Sequence, residues 1–144
     1  MAAKQTTAMT IDELADLLVR EFPQSGHLGL IIEQAGDMTA RLRMPVNESH
    51  LRPGGTVSGP TLFWLADVGL YIAVLAMIGP RTQSVTTSIT MNFLRLPSTA
   101  DLIAEVRLLK LGRRLAVGDI SLFSDGMPDP VAHVTGTYAL PPDA

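Results

Sequence analysis

Three features of the sequence predict an α+β domain: a curved antiparallel sheet of about six strands wrapped round one long central helix, with a short helix ahead of it. The first is the run over residues 61–78, apolar throughout except for a single charged residue, Asp67. The second is strand-like alternation on both sides of that run, clearest in "DMTARLRM" (37–44). The third is the shortness of the connections between the later strand-like segments, which suits antiparallel neighbours.

Taken in order, "TIDELADLLVREF" sets Thr10 and Glu13 at capping-box spacing and Ile11, Leu14, Leu17 and Leu18 on one face, so a short amphipathic helix opens the fold. Residues 1–9 ahead of it read as a flexible N-terminus. Residues 28–34 and 37–44 read as two strands about a turn at Gly36. In the second, Met38, Ala40, Leu42 and Met44 alternate with Thr39, Arg41 and Arg43, which marks a half-buried sheet. The long apolar run follows as a helix. Four further strands are predicted over 83–94, 101–110, 115–124 and 131–140. "RLPST", "LGRR" and "DGMPDP" divide them, each carrying the Pro, Gly or Asp that turns require.

A helix apolar on every side has two homes, a bilayer or the interior of its own domain. The run approaches the roughly 20 residues of a membrane span. Asp67 near its centre would cost roughly 2.5–3.5 kcal/mol there on insertion scales, and the strands that follow supply a cover. Burial is therefore expected, with no membrane partner. With 144 residues and 47% hydrophobic content the chain supports one core, so 1–144 reads as a single domain. Eleven Lys and Arg against fourteen Asp and Glu give a net charge of −3, which offers no basic surface to nucleic acid. The lack of cysteine excludes disulfides, thiolate nucleophiles and Cys-ligated metal. His27, His50 and His133 show no metal-ligand spacing, so no metal is expected. The N-terminal residues carry no hydrophobic signal core, which fits a cytoplasmic address.

The stretch "GGTVSGPTLFWLAD" (54–67) resembles the hotdog-fold acyl-CoA thioesterases, specifically the PaaI-like group. That family's pattern is a loop reading G-T-x-H-G-G, a helix beginning at once, and an acid nine residues after the His within L-A-D. Here Gly55 and Thr56 match, Ser58 stands where His is usual, Gly59 at the first Gly, Pro60 at the second, and Asp67 at the acid. "TTSITMNFLRLP" is similar to the family's strand ending in F-L-R-P, and "LGRRLAVGDISLFSDG" to its next strand pair. The resemblance implies a hotdog fold that hydrolyses a medium-chain or aryl-acyl thioester to free acid and coenzyme A. Coenzyme A enters as part of the substrate, with no separate cofactor. It further implies Asp67 as general base or nucleophile, the Gly59 amide polarising the carbonyl, and a hydroxyl on Thr86 or Thr87 orienting the acid. Thr87 is the catalytic candidate of the pair, and Thr86 a substrate contact.

The residues support this chemistry independently. Ser58 or Gly59 can cap the long helix and Pro60 suits its first turn. The unpaired amides and dipole at that end can stabilise an oxyanion, and a glycine there lets a carbonyl come close. Asp67 lies eight residues on, about 12 Å along the axis at 1.5 Å per residue. One subunit therefore cannot join the two groups. A homodimer with antiparallel central helices can, as the resemblance also implies, and two dimers could associate further. Phe63, Trp64, Leu70 and Tyr71 surround Asp67 at helical spacings, and the partial desolvation they impose is expected to bring it towards working as a base. Arg113 and Arg114, in a glycine turn, are candidates for the phosphates of coenzyme A. His50 is a candidate for the acyl pocket and Ser58 for a substrate contact. Ser58 and Pro60, the departures from the family loop, also admit an alternative in which a hotdog protein binds acyl-CoA without turnover. A hotdog dehydratase is disfavoured because no His occupies the matching loop position.

Overall fold

Thr10 caps the first helix as its spacing predicts: its Oγ1 accepts from the Glu13 amide at 3.2 Å while Glu13 Oε1 accepts from the Thr10 amide at 3.0 Å. The computed structural model describes residues 6–23 and 29–142. Helix α1 (Ile11–Glu21) turns Leu14, Leu17 and Leu18 inward and stops at Phe22, because a residue ahead of proline, here Pro23, disfavours the helical region. Residues 7–9, at the far end of the segment read as flexible, make hydrogen bonds to the fold. The amides of Ala8 and Met9 donate to the Ala76 carbonyl at 2.7 and 3.2 Å, and Thr7 Oγ1 accepts from the Asp37 amide at 2.9 Å. Residues 1–5 lie outside the described residues.

Strands β1 (Ile31–Gly36) and β2 (Thr39–Met44) form a hairpin. Its turn is two residues later than predicted, at 37–38 instead of 35–36: Asp37 and Met38, with φ of 52° and 66°, form the two-residue left-handed turn that matches the twist of a hairpin. Met38 thus leaves the strand alternation, and its amide donates to Met77 Sδ at 3.3 Å. Of the predicted strand over 28–34, residue 28 lies outside the described residues and the strand proper begins at Ile31. A short 3-10 turn (Glu48–His50) leads to helix α2 (Gly59–Ile78). Strands β3 (Val85–Phe93), β4 (Leu102–Leu111), β5 (Leu115–Ser124) and β6 (Ala132–Ala139) complete one six-stranded antiparallel sheet in the order β1-β2-β4-β5-β6-β3.

Alternation sorts the two faces. Ala40, Leu42 and Met44 of β2 and Ala104, Val106 and Leu108 of β4 point to the core. On the outer face Arg43 pairs with Glu33, Asp101 and Asp125 at 2.8, 3.2 and 2.9 Å, and Arg41 pairs with Glu33 and Glu105.

Helix α2 is long and apolar enough to cross a membrane, yet the sheet sheathes it: from Leu65 to Met77 only Asp67 is not buried. The close approach has a specific cause. Gly118 and Gly136 sit opposite each other across β5 and β6, and a Cβ on either would come 2.7 Å from a Leu70 methyl. Gly69 faces Val106 Cγ2, which would stand 3.2 Å from a Cβ there. The two strand glycines open a slot for Leu70, and that slot fixes the height of the helix above the sheet. Asp67, three residues earlier, is set by the same contact.

Candidate active site

Asp67 is half-buried, and two hydroxyls converge on one of its oxygens. Thr86 Oγ1 donates to Asp67 Oδ1 at 2.7 Å, and Tyr138 OH donates to the same Oδ1 at 2.8 Å and lies 3.2 Å from the Asp67 carbonyl. Oδ2 receives no hydrogen bond among the described residues. Thr86 and Tyr138 reach the acid together because β3 and β6 pair them directly. Burial, reinforced by the charge of Asp67 and opposed by the bond from Thr86, pushes the Tyr138 phenol far above its ordinary range. It therefore stays protonated and donates at any working pH. The carboxylate is held through one oxygen, with the other presented.

The structure divides the two threonines. Thr87 was the catalytic candidate, but it is the extra residue of a β-bulge: Thr86 faces Tyr138, Ser88 faces Thr137, and Thr87 has no partner. Its hydroxyl donates instead to the Thr137 carbonyl at 3.3 Å. Thr86, expected as a substrate contact, holds the acid. Sequence reasoning missed Tyr138 altogether. Its inward phase in β6, in step with Val134 and Gly136, was a usable signal, but only the register against β3 brings it to Asp67.

A small pocket of about 60 Å3 opens beside the acid, lined by Asp67, Val68, Trp64, Tyr71, Tyr138 and Phe22. Tyr71 stacks between Phe22 and Tyr138, with ring centroids 5.4 and 5.9 Å away.

The other end of α2 is built separately. Ser58 is the N-cap: its Oγ accepts from the Thr61 amide at 3.3 Å and lies 2.8 Å from Thr61 Oγ1. The hydroxyl proposed as a substrate contact is thus engaged in capping. The Gly59 amide has no acceptor among the described residues. Around it Pro60, Phe63, Met91 and Phe93 form an open apolar hollow of about 480 Å3, and the Phe93 ring would stand 3.5 Å from a Cβ at Gly59. Phe63 and Phe93 are 44% and 60% exposed, which leaves a large apolar patch uncovered in the single chain.

His50 lines neither the pocket beside Asp67 nor the hollow at Gly59. It is buried beneath the loop: Nδ1 accepts from the Asn47 amide at 3.0 Å, the carbonyl accepts from the Ser58 amide at 2.8 Å, and Nε2 meets no partner among the described residues. Its role here is to hold the start of α2. Arg113 and Arg114 are exposed on the β4–β5 turn, at the end of the sheet where Leu115 faces Ala139, next to Tyr138. No group of side chains suited to a metal ion occurs among the described residues.

A six-stranded antiparallel sheet wrapped round one buried helix is the hotdog fold. Residues 54–130 match the family model described as the thioesterase superfamily. A provisionally named thioesterase from Silicibacter, known from its crystal structure, is 47% identical with a TM-score of 0.88 over 96% of each chain. A mutant of the phenylacetic acid degradation protein PaaI from Thermus thermophilus is 28% identical, with a TM-score of 0.72 over 83% of this chain and 99% of that one. A curated Pseudomonas aeruginosa protein, provisionally named an esterase, is 30% identical over 92% of this chain and 99% of its own length. The chain belongs to the thioesterase superfamily, and it is a thioester hydrolase.

Proposed function

We propose that the protein hydrolyses acyl-CoA thioesters at sites shared across a homodimer, Asp67 of one subunit acting on a carbonyl held by the Gly59 amide of the other. One observation carries this reading. The start of β3 holds Asp67 through Thr86, while its far end lays Phe93 on Gly59. β3 is also one of the two edges of the sheet, nine residues long and largely exposed, and such an edge offers its unpaired backbone groups to another strand. Antiparallel pairing of β3 with its own copy, about a two-fold axis near Ile89, sets Thr86 beside the far end of the partner strand. The acid end of each subunit then meets the amide end of the other, across the distance that one helix cannot span.

In such a site the free Oδ2 takes a proton from water, or attacks the carbonyl itself, as the carbonyl oxygen gathers negative charge against the amide and the positive end of α2. Collapse of the tetrahedral intermediate expels the coenzyme A thiolate, which takes the proton from Asp67 where water attacked; where Asp67 itself attacked, water then hydrolyses the mixed anhydride and releases the free acid. The exposed Arg113 and Arg114 supply charge for the phosphates of coenzyme A.

A thiol-release assay over a panel of acyl-CoA esters tests the reading. Steady turnover of one or more is expected, and no release from any would contradict it. Tyr138→Phe and Thr86→Val should each lower kcat by about ten- to a hundredfold with KM little changed, because the acid loses its fixed orientation. Thr87→Val should leave both constants near the wild-type values. Steady-state kinetics on the best substrate checks the contrast.

A further inference from the structure

We infer that the open hollow at the start of α2, walled by Phe63, Met91 and Phe93, takes the acyl group of the thioester and sets which acyl groups are accepted; this rests on the thioesterase reading above. A thioester held at its carbonyl sends two arms away from the reacting carbon, one acyl and one coenzyme A. The two arms differ in chemistry, and so do the two ends of the shared site. The coenzyme A arm carries phosphates, and Arg113 and Arg114 stand on the subunit that supplies Asp67, where the Leu140 amide, two residues from Tyr138, donates to the Arg114 carbonyl at 2.8 Å. The hollow lies on the subunit that supplies Gly59, and no charged, hydroxyl or amide side chain lines it. The acyl arm therefore leaves on the amide's side.

The walls of the hollow are placed by the elements that build the site. Gly59 and Phe63 are four residues apart and share one face of the first turns of α2. Met91 and Phe93 follow Ile89 at strand period, on the face of β3 turned to the helix. A Cβ at Gly136 would stand 3.5 Å from Ile89 Cγ1, and one at Gly59 would stand 3.5 Å from the Phe93 ring. Pairing of two β3 edges extends the sheet without turning that face away, so in the dimer the hollow keeps both walls and opens towards the acid of the other subunit. At about 480 Å3 it falls within the range of about 300–1,000 Å3 for ligand pockets, which are mostly apolar with a few polar groups that fix orientation. The Gly59 amide, without an acceptor among the described residues, is that polar group. Phe63 and Phe93 present an apolar surface that an acyl group would cover.

The test compares kcat/KM for acetyl-, octanoyl- and phenylacetyl-CoA in the wild type, Phe63→Ser, Met91→Thr, Val68→Thr and Val19→Ser. The wild type should favour at least one of the larger esters over acetyl-CoA by about tenfold or more, because added carbons gain contact in an apolar site. Phe63→Ser and Met91→Thr should each lower that preference by about ten- to a hundredfold. Val68→Thr, in the pocket beside Asp67, and Val19→Ser, on the exposed side of α1, should leave it unchanged. Hybrid dimers then locate the effect. When an Asp67→Asn chain pairs with a Gly59→Val chain, the one intact site takes its Gly59 from the Asp67→Asn chain. Phe63→Ser should lower the preference when added to that chain, and should not when added to the Gly59→Val chain. A wild-type preference for acetyl-CoA, an active Phe63→Ser or Met91→Thr with its preference unchanged, or a fall caused by Val68→Thr instead would overturn the acyl site alone. An unchanged preference would mean that the partner subunit fills the hollow. No hydrolysis of any of the esters by the wild type would overturn the thioesterase reading and the acyl site with it.

Discussion

Replacing Asp67 with Asn is expected to lower kcat/KM by between about 10²- and 10⁴-fold, the usual contribution of a positioned acid or base. Asn preserves shape: its amide oxygen can still accept from Thr86 and Tyr138, which now meet at Oδ1 at 2.7 and 2.8 Å. The variant should therefore fold and keep the pocket. What changes is the second oxygen, which becomes an amide nitrogen able neither to take a proton from water nor to attack a carbonyl. Affinity for a non-hydrolysable thioether analogue of the substrate should stay within a few-fold, since the carboxylate acts in the transition state. Calorimetric titration beside thiol-release kinetics separates the two effects. Retention of more than a tenth of the wild-type turnover would mean that another group does the chemistry.

Gly118→Val is expected to be the most damaging single change to the fold. A Cβ there would stand 2.7 Å from Leu70 Cδ1, 3.0 Å from the Arg107 carbonyl oxygen and 3.3 Å from Leu108 Cδ2. The leucine ends could rotate, but the carbonyl belongs to the paired strand β4 and cannot retreat without breaking the ladder. Overpacking typically costs about 1–3 kcal/mol, and the two further methyls of valine place this site at or above the upper end. Chemical denaturation should show a loss of about 3 kcal/mol or more. Leu70→Ala added to Gly118→Val should cost less than the sum of the two single changes, because both act on one slot. Strict additivity would show that Leu70 does not occupy it.

Most of the fold was legible because it is written locally. The capping box at Thr10, the apolar run of α2 and the strands 115–124 and 131–140 depend on residues close in sequence, and they stand where expected to within a residue or so. The hairpin turn slipped by two residues because Asp37 and Met38, neither a glycine, take left-handed backbone. The site was legible where it lies on α2, since Gly59 and Asp67 are fixed by helix geometry. It was not legible across the sheet. Thr86, rather than Thr87, meets Asp67 because of a bulge, and Tyr138 joins it because of a register. Neither can be read from one strand alone. His50 looked like a pocket residue from its place in the loop, but burial and the Asn47 amide give it a structural task.

Subunit complementation tests the shared site most directly. Asp67→Asn chains have no working acid, and Gly59→Val chains have a side chain crowding the amide, at a backbone conformation any residue can adopt. Each variant alone should be inactive. Mixed, unfolded and refolded together, they should form hybrid dimers in which one of the two sites joins an intact Asp67 to an intact Gly59, so activity should recover to about a quarter of the wild-type value. If the acid and the amide acted within one chain, every site in the hybrid would carry a defect, and the mixture would stay as inactive as its components.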